Sequence, residues 1–262
     1  MKNTRWVVLI ASLVMPATAM AQSVFDGTWK LDLNTATFSK PDVYLLKDGM
    51  YHCKTCAPST DVKADGQDHK VSGHPYYDMV SIKIVDDRTI EETAKKNGKT
   101  VATSKKWVSA DGNTMMVEFT DSSATNAAPI TGKGELTRVA KGPAGSHAIS
   151  GSWQFSKVDS VSDNGLMFTN KVEGDTLSMS NQTGQGYTAK LDGTEAPYKG
   201  DPGTTSVSVK KVDENTIEET DKRDGKVISV TRMTVASDGK SMTLVVDDKL
   251  RKATSKMVAV KQ

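Results

Sequence analysis

Two cysteines and three histidines lie within a short segment of the chain, and their spacing matches that of a zinc site. The pattern is Cys53-x2-Cys56-x12-His69-x4-His74, with His52 as a further possible ligand. Two thiolates and two imidazoles complete the tetrahedral shell that zinc prefers. A zinc finger also needs a helix that carries the histidines, and the intervening residues are polar and show no helical pattern. Zinc binding is therefore the alternative interpretation of this cluster.

The favoured interpretation of Cys53 and Cys56 is a disulfide. Two nearby cysteines in an oxidising compartment form one by default. Closing so small a loop stabilises a protein by about 2 kcal/mol or less, so its effect would be local. A redox-active pair and free thiols are the remaining readings of these two residues.

A second group of residues that could carry out chemistry lies in the sequence Thr-Ile-Glu-Glu-Thr, which occurs at 89–93 and again at 216–220. In a strand, successive side chains point to opposite faces, so the two glutamates of each pair separate. If the isoleucine faces inward, Glu92 and Glu219 do too. A desolvated carboxylate has a raised pKa, which suits general acid–base catalysis.

A simpler interpretation of these carboxylates is favoured. Glu92 and Glu219 would lie near a hydrated barrel end, beside Lys95 or Lys222.

The chain contains an internal duplication. Residues 60–121 align without a gap onto 187–248, with 23 identities. A residue present in only one copy is less expected to belong to the shared scaffold. The second copy has other residues at the four positions of the zinc pattern, namely Ser180, Thr183, Ala196 and Asp201.

The same comparison identifies aromatic residues of the first copy as candidates for ligand contact. Tyr51, Tyr76 and Tyr77 stand where the second copy has Ser178, Gly203 and Thr204. The candidate ligand-binding residues are Tyr51, Tyr76, Tyr77, Glu92 and Glu219. No set of residues meets a recognised catalytic spacing, so no catalytic residue is assigned.

Alternating patterns predict an all-β fold. Val80, Ile82 and Ile84 alternate with polar residues, and Asn-Gly or Asp-Gly pairs such as Asn97-Gly98 mark hairpin turns. Eight or nine antiparallel strands are expected in each copy. So many sequential strands most simply close on themselves, which predicts two tandem antiparallel up-and-down β-barrels. A linker composition at 141–146 divides the repeats into 22–144 and 145–262.

The first 21 residues have the pattern of a cleaved signal peptide. Lys2 and Arg5 precede an apolar run, and Ala19-Met20-Ala21 offers small residues for cleavage. The mature protein is expected to be periplasmic or secreted, without membrane insertion. Its remaining charges are balanced and interleaved, so nucleic acid is not an expected partner.

The motif Gly-x-Trp opens both copies, as Gly27-Thr28-Trp29 and Gly151-Ser152-Trp153. It resembles the opening-strand motif of the lipocalin and calycin superfamily, and the overall pattern is similar to secreted bacterial lipocalin-like proteins of unassigned function. The resemblance implies that Trp29 and Trp153 plug one end of a barrel, with a basic residue of the last strand over each ring. Arg138 would be that residue in the first barrel, and Lys256 or Lys261 in the second.

Three classes of function follow from these features. The favoured one is a non-catalytic binding protein that holds a small, mostly apolar ligand in a β-barrel, because barrels of this size can enclose one. A structural or protein-interaction module of the cell envelope is the first alternative. An enzyme that uses barrel-interior carboxylates is the second. No cofactor is expected, and the oligomeric state is not predicted.

Overall fold

A computed structural model describes residues 22–124 and 127–262, so the predicted signal peptide lies outside the described residues. The first copy contributes ten strands: β1 (Gly27–Phe38), β2 (Asp42–Lys47), β3 (Met50–Cys53), β4 (Thr60–Lys63), β5 (His69–Lys70), β6 (Met79–Asp86), β7 (Thr89–Lys96), β8 (Lys99–Val108), β9 (Thr114–Asp121) and β10 (Ile130–Lys141). The second copy contributes β11 (Gly151–Val161), β12 (Met167–Glu173), β13 (Thr176–Asn181), β14 (Gly186–Lys190), β15 (Asp192–Lys199), β16 (Ser206–Lys211), β17 (Thr216–Arg223), β18 (Lys226–Val235), β19 (Ser241–Asp248) and β20 (Ala253–Lys261). One 3₁₀ turn, Asp163–Gly165, is the only helical element in this part of the chain, and it is far too short to cross a membrane.

The predicted all-β class is confirmed, and so is the predicted hairpin turn at Asn97-Gly98. Asp48 and Gly49 join β2 to β3, and both have positive φ angles, of 52° and 75°. Asn97-Gly98 and Asp224-Gly225 join the equivalent hairpins of the two copies with nearly the same angles. Positive φ at both central residues is what a type I′ turn requires, and this turn matches the twist of the strands on either side.

The two barrels exchange their opening strands. β1 pairs with β12 and β20, which belong to the second copy, and β11 pairs with β2 and β10, which belong to the first. We call β2–β10 together with β11 the first barrel, and β12–β20 together with β1 the second barrel. The division into 22–144 and 145–262 therefore describes the sequence repeats. As a division into barrels it needs one correction, because β1 belongs to the second barrel and β11 to the first.

The strand number also differs from the expected eight or nine, because each barrel has ten strands. The second barrel is closed, and the first is nearly closed. The two barrels differ in closure because of β15. This strand of the second barrel has eight residues, whereas its equivalent in the first copy, β5, has two. Near the gap between β4 and β5, the two edge strands of the first barrel, the described residues form an isolated bridge between Asp65 and Lys83.

Each barrel has its own apolar core, and a tryptophan from the exchanged strand is fully buried in it. Trp29 packs in the second barrel and Trp153 in the first, each with 0% exposure. The indole N–H of Trp29 donates to the carbonyl of Phe25 at 2.9 Å, and that of Trp153 donates to Ile149 at 2.8 Å. The two copies thus repeat this local structure, in which the acceptor lies four residues before the ring.

A basic residue of the last strand lies over each of these rings. The guanidinium carbon of Arg138 is 3.9 Å from the ring centroid of Trp153, and Lys261 Nζ is 5.2 Å from that of Trp29. Arg138 also donates to the carbonyls of Ala148 (2.7 Å) and Ser150 (2.8 Å) and to that of Gly112. Arg138 thereby ties the segment before β11 to the first barrel.

Arg138→Ala is expected to lower the free energy of unfolding by about 3 kcal/mol, because it removes three charge-assisted hydrogen bonds and a cation–π contact from a partly buried site. Lys261→Ala is the matched control, since Lys261 has the weaker contact with its ring. It should cost about 1 kcal/mol or less. Urea unfolding measures both values, and equal losses would contradict a special role for Arg138.

Candidate functional site

Cys53 and Cys56 form a disulfide. His69 Nε2 lies 2.7 Å from Asp65 Oδ1, and His74 stacks on Tyr77 with ring centroids 4.4 Å apart. Both sulfurs are engaged in this disulfide, so neither cysteine is free to act as a thiolate ligand in the alternative zinc site with His69 and His74.

Replacing Cys53 and Cys56 together by alanine is expected to cost about 2 kcal/mol or less, because the closed loop is short. Thermal unfolding with and without reductant provides the same comparison in the wild type. A loss well above 3 kcal/mol would show that the disulfide stabilises more than its own loop.

A cavity lies where the exchanged strands pass between the barrels. Its volume is about 550 Å³. Its walls are mainly apolar, and those from the exchanged strands are Leu31, Leu33 and Phe38 of β1 and Phe155, Val158 and Val161 of β11. Phe38 and Phe155 meet edge to face, with centroids 5.2 Å apart. The strand exchange thus creates the walls of this cavity.

The inner end of the cavity lies in the first barrel, where Tyr44, Lys106 and Trp153 line it. Lys106 is only 8% exposed, and its ammonium lies 5.1 Å from the ring centroid of Tyr44. The same ammonium forms an ion pair with Glu92. One buried cation therefore marks the inner end of a mainly apolar cavity.

Glu92 is held as a carboxylate by its neighbours. Burial alone raises the pKa of Glu92, but the charge and hydrogen bond of Lys106, with help from Tyr51 and Ser104, outweigh it and lower the pKa. Ser104 Oγ donates to Glu92 Oε2 at 2.9 Å. Burial also raises the pKa of Tyr44 well above its ordinary value, so that phenol stays neutral.

The prediction that Glu92 and Glu219 lie beside Lys95 or Lys222 was wrong. Lys95 pairs with Asp68 at 2.6 Å, and Lys222 pairs with Glu195. The partner of Glu92 comes instead from β8, because that strand runs beside β7 in antiparallel register and places Ser104 opposite Glu92.

The equivalent glutamate of the second barrel lies in a different electrostatic environment. Met233 occupies the position of Lys106, and Asp221 adds a second carboxylate beside Glu219. The hydroxyl of Tyr187 donates to Glu219 Oε2, and Ser229 Oγ donates to Asp221 Oδ2 at 2.8 Å. Burial and the charge of Asp221 raise the pKa of Glu219 to about 8, so this site is neutralised by a proton where the first barrel uses a lysine.

The tyrosines singled out by the repeat comparison do not converge on one site. Tyr51 is buried and stacks on Tyr44 at 6.2 Å, so it lies with Glu92 behind the inner end of the cavity. The hydroxyl of Tyr76 donates to Asp201 of the second copy at 2.8 Å and lines a smaller cavity of about 290 Å³. Tyr77 stacks on His74, away from Glu219 in the other barrel.

Sequence reasoning missed Lys106 and Tyr44, the two polar residues at the inner end. A signal for Lys106 was present, because the repeat places a lysine in one copy where the other has a buried methionine. A charge at a core position of a duplicated scaffold is costly unless it is paired, and such a residue is a candidate for function.

No protein-family model matches this sequence, and no curated protein is found to be similar to it. The function is therefore inferred from the geometry of the described residues.

Proposed function

We propose that the protein is a periplasmic or secreted, non-catalytic binding protein that holds a small, mostly apolar ligand in the cavity between its two barrels. The observation that carries the proposal is the apolar cavity of about 550 Å³, a volume within the range of small-molecule sites. The disulfide fits an oxidising compartment.

The mouth of the cavity supports the same function. Phe38 and Phe119 both line it, and they are 38% and 37% exposed. Exposed aromatic side chains beside a concave apolar surface are typical of binding sites. A bound apolar molecule would cover these rings and remove their surface from water.

Lipocalin-like ancestry remains part of the proposal. The buried Gly-x-Trp residues Trp29 and Trp153, each beneath a basic side chain, support it. The binding site, however, would lie at the junction of two barrels and not along the axis of one. The filled cores are the reason, since large side chains occupy the interior of each barrel.

Titration with N-phenyl-1-naphthylamine, a neutral apolar fluorophore that brightens in apolar surroundings, tests the proposal. The wild type should bind it with saturable stoichiometry. Ala253 lines the cavity with the smallest side chain that can be enlarged there, so Ala253→Trp should fill the space and weaken binding at least tenfold. The control is Val139→Trp on β10, where the side chain is 61% exposed and is not part of the cavity lining.

A structural or protein-interaction module is the second candidate, and the filled interiors of both barrels are the observation that favours it. Under that function, the wild type, Ala253→Trp and Val139→Trp would all show the same weak, non-saturating fluorescence. That outcome would overturn the ligand-binding proposal.

A further inference from the structure

The cavity between the barrels has one buried cation in its lining, Lys106, and this feature indicates the chemistry of its occupant. Lys106 lines the inner end of the cavity together with Tyr44 and Trp153, while most of the remaining lining residues are aliphatic or aromatic. Lys106 is the buried charged residue of the lining, whereas the other charged groups of the lining lie nearer to solvent. A molecule that fits this chamber has an apolar body and a polar head.

Lys106 has donor capacity left for such a head. An ammonium has three N–H donors, and the hydrogen bond recorded for Lys106 among the described residues goes to Glu92 Oε2. Glu92 does not depend on that bond alone, because Ser104 donates to the same oxygen and Tyr51 also lowers the pKa of Glu92. Lys106 can therefore donate to an occupant while Glu92 keeps other donors.

The mouth of the cavity adds further cations. The charged residues that line the cavity as a whole are Lys40, Asp42, Lys106, Lys133, Asp248 and Arg251, an excess of cations over acids. Lys133 pairs with Glu118 at 2.7 Å, and Arg251 pairs with Asp42. Asp248 accepts from the backbone amides of Leu250 and Arg251 at 2.9 Å within its own hairpin. Lys40 and these rim groups are exposed or only partly buried, so water and salt screen their charges, whereas Lys106 is buried. Lys106 is therefore the group that best distinguishes an anionic head from a neutral one.

We propose that the ligand is an amphipathic anion, a hydrocarbon body with a single carboxylate, whose carboxylate binds Lys106 at the inner end while its body fills the apolar space between β1 and β11. This inference rests on the proposed ligand-binding function and specifies the ligand class. A carboxylate is the acceptor that gains most from Lys106, because charge-assisted hydrogen bonds are stronger than neutral ones. In this buried setting the preference is not screened as it would be at the surface.

Displacement of N-phenyl-1-naphthylamine by three ligands of equal chain length tests the inference. Dodecanoate, dodecanol and methyl dodecanoate share one hydrocarbon body, and only the first carries a charge. In the wild type, dodecanoate should displace the probe about tenfold more effectively than either neutral ligand. Equal displacement by all three would overturn the carboxylate assignment while leaving the ligand-binding function intact. Failure of the probe itself to bind would overturn both.

Variants of the ion pair separate a binding role of Lys106 from a structural one. Glu92→Gln removes the competing carboxylate, so dodecanoate should bind more tightly than to the wild type while dodecanol binding stays unchanged. The double variant Lys106→Met, Glu92→Gln keeps the site neutral without the cation and should lose the tenfold preference. Lys105→Met, at the neighbouring exposed lysine, should retain it. A preference for dodecanoate that survives in the double variant would overturn the proposal.

Discussion

Lys106→Met is expected to lower the free energy of unfolding by about 3–5 kcal/mol, because it leaves the carboxylate of Glu92 buried without its cation. The side chains of Lys106 and Glu92 are 10% and 19% exposed, so water cannot replace the lost partner. Urea unfolding at pH 7 measures the loss. The change reproduces the residue of the second copy, where Met233 stands at this position and the nearby Glu219 has a raised pKa.

Two further variants distinguish the loss of the ion pair from the loss of packing. Adding Glu92→Gln to Lys106→Met should restore most of the stability, since a neutral side chain needs no counter-ion. Lys105→Met should change stability by about 0.5 kcal/mol or less, because this lysine is exposed. If the double variant were as unstable as Lys106→Met alone, the buried charge of Glu92 would not be the cause.

Glu219→Gln is expected to make the protein less sensitive to alkaline pH. Burial and the neighbouring Asp221 raise the pKa of Glu219 to about 8, so the folded protein holds a proton that the unfolded chain releases near its ordinary pKa of about 4.3. The folded state binds more protons than the unfolded state between these values, so stability falls as pH rises through this window. Below the unfolded pKa the contribution is fully present.

The measurement is the free energy of unfolding of the wild type and of Glu219→Gln at pH 5 and pH 8. Between these pH values the wild type should lose roughly 2–4 kcal/mol relative to the variant. Glu218→Gln is the matched control, because Glu218 precedes Glu219 on β17 and its side chain points to the opposite face. A wild type and Glu219→Gln with parallel pH profiles would show that Glu219 is not protonated in the folded state.

The local structure could be predicted from the sequence because its determinants are local. Asn97-Gly98 specifies a tight turn whatever surrounds it, and the alternation around Ile90 and Ile217 places both isoleucines inside at 0% exposure. Because of the duplication, each strand predicted in one copy could be checked against the other copy. For example, β7 and β17 begin and end at positions 127 residues apart. The inward direction of Glu92 followed from the same alternation.

The strand exchange could not be predicted, because the two opening strands present the same motif to either barrel. Trp29 and Trp153 make the same hydrogen bond to a carbonyl four residues earlier and fill equivalent core positions. Local sequence therefore does not determine which barrel a strand joins. Arg138 contributes to the observed arrangement, since its hydrogen bonds to Ala148 and Ser150 fix the segment that precedes β11.

The cavity could not be predicted either, because it too depends on which strands pack together. Leu31 and Val158 belong to different copies, and they line one space only because β1 and β11 cross between the barrels. The partner of Glu92 depended on the register of β7 against β8, which placed Lys106 within reach and left Lys95 beside Asp68. Contacts of this kind depend on tertiary packing, which a pattern along a single strand does not encode.

Native mass spectrometry of the mature protein, purified from its own host, tests the central claim most directly. The wild type and Val139→Trp should each carry one non-covalently bound organic molecule, and Ala253→Trp, purified from the same host, should carry none. The mass of that molecule would identify the ligand. Wild-type protein without any bound molecule, or an equal adduct on Ala253→Trp, would contradict a ligand site between the two barrels.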